Sequence, residues 1–336
     1  MQDLVSIIIP CLNEEGYIKS CIESILSQDY QKDLIEILVV DGGSNDNTLS
    51  ILKSFSEVTI INNPNKIVPI SMNLGIKEAK GDFIIRIDAH CLYPKNYVSE
   101  LIKNSVALNA DNIGCIMETL PANDSSKAKA IAIGISHPLG VGNSYFRVGS
   151  SKTREVDTVP FGCYKKEVFK KIGYYDEELV RNQDDELNAR LIQNGGKIFL
   201  LSNIILKYYA RDTITKVYNM FFQYGLYKPL VNKKLKKPAT IRQFIPLLFV
   251  LNIILGGLIS LFFPPFLYFT LFTLSLYIIL ILWVSLKIKI NKKLKSITLL
   301  YLPVIFFVIH FSYGWGYIKG IIRILTKQKF NVKLNR

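Results

Sequence analysis

Gly81-Asp82-Phe83-Ile84-Ile85-Arg86-Ile87-Asp88-Ala89-His90 is the stretch around which the first two thirds of the chain make sense. Phe83 to Ile87 is a short apolar run that reads as a buried strand. It ends on an acid, a small residue and a histidine. At the carboxyl end of a central strand in an alternating β/α chain, such residues face the crevice where ligands bind. Asp88 and His90 stand two apart, so on an extended backbone both side chains point the same way and suit one metal ion. Taken alone, the segment reads equally well as an acidic strand end beside a surface histidine. The surrounding chain separates the two readings.

Upstream, Leu4 to Ile9 is a buried-strand run closed by Pro10. Asn13, Glu14 and Glu15 follow, then Ile18, Cys21, Ile22, Ile25 and Leu26 at helical spacing. Leu34 to Val40 predicts a second strand, ending in Asp41-Gly42-Gly43-Ser44-Asn45-Asp46. The glycines permit a tight turn, and Asp46 or Asn47 can cap the next helix. A third strand, Val58 to Ile61, and a helix from Val68 to Ala79 lead back to Phe83. This alternation predicts a mostly parallel α/β sheet flanked by helices. Asp41 and Asp88 then both lie at strand carboxyl ends and converge on one crevice. Downstream, Pro94 opens a helix and Ile113 to Thr119 reads as a strand, while Pro121 to Val156, with His137 and Arg147, reads as loop-rich. Leu187 and Leu191 mark the apolar face of a helix whose first turn carries Asp184, Asp185 and Glu186, acids that the helix dipole favours there. Strands near Ile198–Leu201 and Ile204–Tyr208 follow, then an amphipathic helix from Thr213 to Leu226.

The last third has a different character. Ile245 to Phe263 is 19 residues without a charge, and Phe266 to Leu286 is 21 more. Each is long enough to cross a hydrocarbon core. A third apolar stretch, 297–318, is interrupted by Pro303, Gly314 and Gly316 and reads as spanning or re-entrant. A full third crossing would put Lys319, Arg323, Lys327 and Lys329 outside, against the charge rule. The expected organisation is therefore a globular domain over 1–227, a basic connector over 228–244, a membrane region over 245–325 and a basic tail over 326–336. Much of the net charge of +14 sits beside the apolar spans, which suits anionic lipid. No recognition motif accompanies it, so nucleic acid is excluded as a partner. The five cysteines form no CxxC pair, and with no signal peptide in view the globular part is expected in the cytoplasm, anchored to the inner membrane.

Three acidic groups now stand in order: Asp41, Asp88 with His90, and Asp184-Asp185-Glu186. There is no GxxxxGK[ST] and no GxGxxG after the first strand, which argues against a P-loop ATPase and dinucleotide binding. Nucleotide-diphosphate chemistry needs one acid for a base or ribose, a metal-holding group for the diphosphate and a carboxylate to take a proton from an attacking hydroxyl.

In Ser6-Ile7-Ile8-Ile9-Pro10-Cys11-Leu12-Asn13-Glu14, Val40-Asp41-Gly42-Gly43-Ser44-Asn45-Asp46, Asn73-Leu74-Gly75-Ile76, Asp88-Ala89-His90 and Gln183-Asp184, the chain resembles family 2 glycosyltransferases of the GT-A fold. Arg86-Ile87-Asp88-Ala89-His90, His137-Pro138 and Arg181-Asn182-Gln183-Asp184 resemble, more narrowly, the succinoglycan-type exopolysaccharide glucosyltransferases. The resemblance implies inverting transfer of a hexose from a nucleotide sugar, a UDP-sugar, to a lipid-linked saccharide, with Mn²⁺ or Mg²⁺ as cofactor. Carried over by position, Pro10, Asn13, Glu14, Asp41 and Asp88 bind the nucleotide sugar, Asp88 and His90 hold the metal, and Asp184 is the general base. The chain departs from the family pattern where His90 replaces a second Asp, Gly42 replaces another, and Gln183 replaces a Glu. Neutral imidazole suits Mn²⁺ better than Mg²⁺. Transfer directly to a polyprenyl phosphate is the alternative within the enzyme class. A catalytically inactive nucleotide-sugar-binding membrane scaffold is the alternative outside it.

Overall fold

The computed structural model describes residues 3–330, so the last part of the expected basic tail, 331–336, lies outside the described residues. The chain begins β1 (Val5–Cys11), α1 (Ile18–Leu26), β2 (Ile35–Asp41), α2 (Thr48–Leu52), β3 (Val58–Asn62), α3 (Val68–Glu78) and β4 (Phe83–Arg86). It continues α4 (Tyr97–Ala107), β5 (Asn112–Leu120), α5 (Ser126–Gly134), α6 (Pro138–Val141), α7 (Tyr145–Val148) and β6 (Arg154–Glu155). Then come β7 (Cys163–Lys165), α8 (Lys166–Ile172), α9 (Gln183–Gln193) and β8 (Ile198–Tyr209). The helices α10 (Ile214–Leu235), α11 (Phe244–Ser260), α12 (Pro265–Asn291) and α13 (Ser296–Leu325) close the described chain.

The strands form one sheet in the order β3-β2-β1-β4-β7-β5-β8-β6. β1 pairs in parallel with β2 and β4, and β2 with β3. β7 runs antiparallel to β4 and β5, and β6 to β8. This is the mixed, mostly parallel sheet that the alternation predicts. Its register sets Cys11 opposite Asp41 and Ile8 opposite Arg86, so the parallel strands end at one edge.

Side chains alternate across β1 with period two. Val5, Ile7 and Ile9 pack with α1 and α4 on one face, through Ile18, Ile22, Tyr97 and Leu101. Ile8 packs on the other face with Met72 and Ile76 of α3 and Leu187 and Leu191 of α9. The helix that carries Asp184 is thus fixed to the sheet by its apolar side. Pro10 stops the β1–β4 ladder. Ile8 accepts from Ile87 N at 3.0 Å, so residue 10, of the same parity, turns towards β4 too, where proline has no N–H to offer. The crevice opens there. Gly81 is required by close approach: a Cβ on it would lie 2.5 Å from Ser6 N in β1.

Two compact units emerge, Met1–Glu118 with Ser144–Tyr208, and Thr119–Asn143 with Tyr209–Arg336. Four features differ from the sequence reading. The expected loop over 121–156 contains α5, because Ser125 Oγ accepts from Ala128 N at 3.1 Å as an N-cap and the alanine-rich run behind it favours helix. The two strands expected at 198–208 are one, β8. The break drawn at residue 227 falls inside α10, which runs on through Pro229 to Leu235. Pro303 and the glycines leave α13 a single uninterrupted helix.

In the second unit α5, α10, α12 and α13 share a core that includes Ile131, Ile135, Phe221, Ile281, Val284, Leu302, Ile305 and Ile309. Ile241–Ser260, Pro265–Asn291 and Ser296–Leu325 are each long and apolar enough to cross a membrane, and they make this a membrane-associated protein.

Candidate active site

The crevice is built first from two loops. After β1, Asn13 adopts a left-handed φ of 56°, which Asn tolerates. Its Oδ1 accepts from Asn45 N at 2.9 Å, while Ser44 Oγ accepts from Asn13 N at 2.8 Å. Thr48 Oγ1 accepts from Glu14 N, and Glu15 Oε2 accepts from Asn47 N. The loop after β1 is therefore stitched to the loop after β2. Asp41 is 3% exposed and holds that second loop: Oδ2 accepts from Gly43 N and Ser44 N, and Oδ1 from Ser44 Oγ. A residue expected to bind the nucleotide sugar thus has both oxygens engaged by its own turn.

The next strand does not stay extended through its motif. β4 ends at Arg86, and Cys91 N donates to Asp88 O at 3.2 Å in a turn. The condition for Asp88 and His90 to point the same way is therefore not met, and their side chains find different neighbours. Asp88 Oδ1 accepts from Arg86 Nη2 at 3.1 Å. His90 Nδ1 lies 3.9 Å from Oε1 of Glu14, whose own side chain is fully buried. Tyr93 clamps the backbone of Asp88, accepting from its N at 3.0 Å and donating to its O at 3.3 Å. Among the described residues no three His, Cys, Asp or Glu side chains gather as a metal cluster. Asp88 and His90 remain 23% and 27% exposed. A carboxylate and an imidazole are each donors of a kind Mn²⁺ accepts, and each keeps access to solvent, so either can reach an ion that arrives with the substrate.

Arg86 organises the centre. Its Nη1 donates to both carboxylate oxygens of Asp184 at 2.5 Å while Nη2 holds Asp88. One buried guanidinium thus joins two carboxylates 96 positions apart in the chain, using the forked geometry that Lys lacks. Phe161 covers it, with the guanidinium carbon 5.8 Å from the ring centroid. Phe161 has a φ of 49°, an uncommon conformation for a bulky residue. It is held by Tyr97 Oη donating to its carbonyl and by Arg86 N donating to Gly162 O. Strain of this kind gathers at functional sites.

Asp184 is positioned by its helix. Asn182 precedes α9 with φ 60°. Glu186, 4% exposed, accepts from Arg190 Nε at 2.8 Å, and Arg190 Nη2 donates to Tyr174 O. Asn73 of α3 donates to Tyr175 O at 2.9 Å and accepts from Tyr175 N, pinning the same approach. Of the adjacent acids, Glu186 is engaged structurally and Asp184 faces Arg86. Burial pushes the Asp184 carboxyl above its ordinary range. Arg86 pulls it back, and the charges of Asp88 and Asp185 push it up.

Arg147 sits at the side of the same site. Its guanidinium carbon is 5.4 Å from the Tyr208 ring centroid, and the Tyr208 ring is 6.4 Å from that of His90. Arg147 Nη1 is buried with no hydrogen-bond partner among the described residues. The five cysteines are buried and form no disulfide. Burial pushes the Cys21 and Cys115 thiols up to about 12, which excludes them as thiolate nucleophiles.

Sequence reasoning missed the parts played by Arg86, Tyr93 and Phe161. The signal for Arg86 was present: a cation inside an apolar strand demands a buried partner.

A family model described as glycosyl transferase family 2 matches residues 6–173, half of the chain. The chain belongs to glycosyl transferase family 2. This family 2 member is 30% identical over 335 residues, 96% of its own length and 98% of the relative's, to the dolichyl N-acetyl-alpha-D-glucosaminyl phosphate 3-beta-D-2,3-diacetamido-2,3-dideoxy-beta-D-glucuronosyltransferase of Methanococcus voltae. It is 31% identical over 260 residues to the succinoglycan biosynthesis protein ExoA of Rhizobium meliloti (strain 1021), covering 76% of this chain and 77% of that one. Among solved structures, it resembles mannosyltransferase PcManGT of Pyrobaculum calidifontis in complex with GDP-Man and Mn2+ at TM-score 0.59 and 14% identity, over 94% of this chain and 88% of that one. That likeness is one of fold. The glycosyltransferase thus carries its Asp88–Arg86–Asp184 bridge at the carboxyl edge of a GT-A sheet.

Proposed function

We propose that this membrane-associated glycosyltransferase transfers a hexose, with inversion, from a nucleotide sugar of the UDP-hexose class to a lipid-linked saccharide at the cytoplasmic face. The observation that carries the reading is the single buried guanidinium holding Asp88 and Asp184 in one crevice. The acceptor hydroxyl attacks the anomeric carbon, the bond from that carbon to the diphosphate oxygen breaks, and Asp184 takes the hydroxyl proton. Asp88 and His90 would hold a divalent ion, which when bound supplies positive charge to the departing diphosphate. Arg147, with its buried Nη1 and its guanidinium against the Tyr208 ring, adds fixed charge for the same anion. The stitched loops of Asn13, Glu14 and Asp41 form the wall against which the nucleoside lies, with Pro10 opening the crevice beside it.

The name of the Methanococcus voltae relative specifies a dolichyl-phosphate-linked sugar acceptor. This supports a lipid-linked saccharide over a soluble one, and the apolar helices would keep the enzyme beside such an acceptor. An anionic polyprenyl phosphate acceptor would need no base. The interior position of Asp184 on Arg86 favours the alcohol acceptor, because the site then has a use for a carboxylate whose proton affinity is raised.

The test is release of nucleoside diphosphate by the purified full chain, given a panel of nucleotide sugars with native lipid extract and Mn²⁺ or Mg²⁺. We expect release that needs both lipid and metal. Tight donor binding with no turnover for any pair would favour the inactive scaffold.

A further inference from the structure

The three apolar C-terminal helices are all long and apolar enough to cross a membrane, yet they are used differently within their unit. α11 and α12 form an antiparallel hairpin: Asn252 Nδ2 donates to Thr273 Oγ1 at 3.0 Å, and a Cβ on Gly256 would meet Thr270. The tip of this hairpin is apolar and bare, with Leu261, Phe262, Phe263, Tyr268 and Phe272 all more than half exposed.

α13 does not follow the hairpin to that tip. Its ring and close backbone contacts with α11 lie in the first two turns of that helix: Phe244 with Tyr317, Pro246 and Val250 with Gly314, and Phe249 with Phe307 and His310. With α12 they lie in the last half, where Tyr277 Oη is 2.9 Å from His310 Nδ1 and Ile281, Val284 and Ile288 share a core with Leu302 and Ile305. A 30-residue helix is about 45 Å long and would reach the tip if it ran beside the hairpin. Instead α13 runs parallel to α10. A Cβ on Gly316 would strike Phe222 O, and one on Gly320 would strike Leu226 O, at 2.1 and 2.3 Å. Small residues at that spacing let two backbones touch. α10 carries Lys216, Lys228, Lys233 and Lys234 and is not among the spans. Its level cannot be the hydrocarbon centre.

We propose that α13 is an interfacial helix, lying across the end of the hairpin where α11 enters and α12 leaves the bilayer, and that only α11 and α12 cross. The occupant of its exposed face is the headgroup boundary of an anionic leaflet. Leu300, Val304, Ile321 and Leu325 are exposed along it. Lys319 Nζ lies 4.9 Å from the Trp315 ring centroid, and Lys287 Nζ 5.3 Å from that of Trp283 on α12, both of them aromatic–cation pairs of a kind suited to that boundary. This arrangement keeps Lys287, Lys289, Lys292, Lys293, Lys295, Lys319, Arg323, Lys327 and Lys329 on one side.

Single cysteines in the full-length chain, in sealed vesicles of known orientation, test this. The native cysteines are buried and give little background with a membrane-impermeant maleimide. The probes are Ser56→Cys in the globular unit, Phe263→Cys at the hairpin tip and Gln328→Cys after α13, all exposed positions. We expect Gln328→Cys to label from the same side as Ser56→Cys, with Phe263→Cys labelling only from the opposite side. Labelling of Gln328→Cys from the side of Phe263→Cys, or equally from both sides, overturns the proposal.

Discussion

Replacing Asp184 with Asn lowers kcat by about 10²–10⁴-fold, the range for loss of a general base, with donor affinity unchanged. Asn has the same shape and its carbonyl oxygen still accepts from Arg86, so Tm stays close to wild type. Single-turnover product formation and donor titration on the same preparation separate the two effects. The wild-type pH profile follows from the same group. As the proposed general base, Asp184 would work deprotonated, so activity is expected to fall as pH drops through its pKa. Because burial raises that pKa, the acid limb of kcat/KM lies above the ordinary aspartate range, near 4, and disappears with the residual activity of the Asn variant. For folding the sign reverses. A carboxyl raised in the native state favours folding below its unfolded pKa, and that contribution is lost as pH rises through the native value. Wild-type-like kcat in Asp184→Asn would point to an anionic acceptor that needs no base.

Arg86→Met is the second large effect, and it acts on fold and function together. The variant keeps the length of the side chain and removes the cation, which leaves Asp88 and Asp184 facing one another in a crevice with no counter-charge. Breaking a buried ion pair by deleting one partner costs about 3–5 kcal/mol. Asp88 and Asp184 keep 23% and 30% exposure, so solvent screens part of the loss and the lower end is expected. Tm falls by several degrees, turnover is lost, and the acid limb measured on any residual activity moves to higher pH, since Arg86 was the group pulling Asp184 down. Arg86→Lys restores charge without the fork and recovers stability more than activity. A Met variant with wild-type stability and rate would make the bridge incidental.

The parts of this site legible in the sequence are those that local pattern controls. Strand runs ended by acids put Asp41 and Asp88 at one sheet edge, and Asp184, three and seven positions before Leu187 and Leu191, shares the face of its helix that packs on the sheet. What stayed hidden depends on pairing across the chain. Nothing in Phe83-Ile84-Ile85-Arg86 names the carboxylate that Arg86 meets 98 positions later. Nothing in Asp41-Gly42-Gly43-Ser44 tells whether the carboxylate serves a ligand or its own turn. The turn at Asp88 escaped because a two-residue periodicity assumes an extended backbone, and Tyr93 Oη, five residues on, competes for that backbone. In the second unit, α5 was masked by glycine and serine around an alanine-rich core, and the glycines of α13 read as breaks when they are points of contact with α10 and α11.

The central assignment is a single displacement in which Asp184 activates the acceptor on one face of the sugar while the diphosphate leaves from the other. The anomeric configuration of the transferred sugar tests it most directly, read by proton NMR coupling in product made from a donor of defined configuration. Inversion is the expected result. Product that retains the donor configuration would contradict the role given to Asp184 and, with it, the meaning of the Asp88–Arg86–Asp184 bridge.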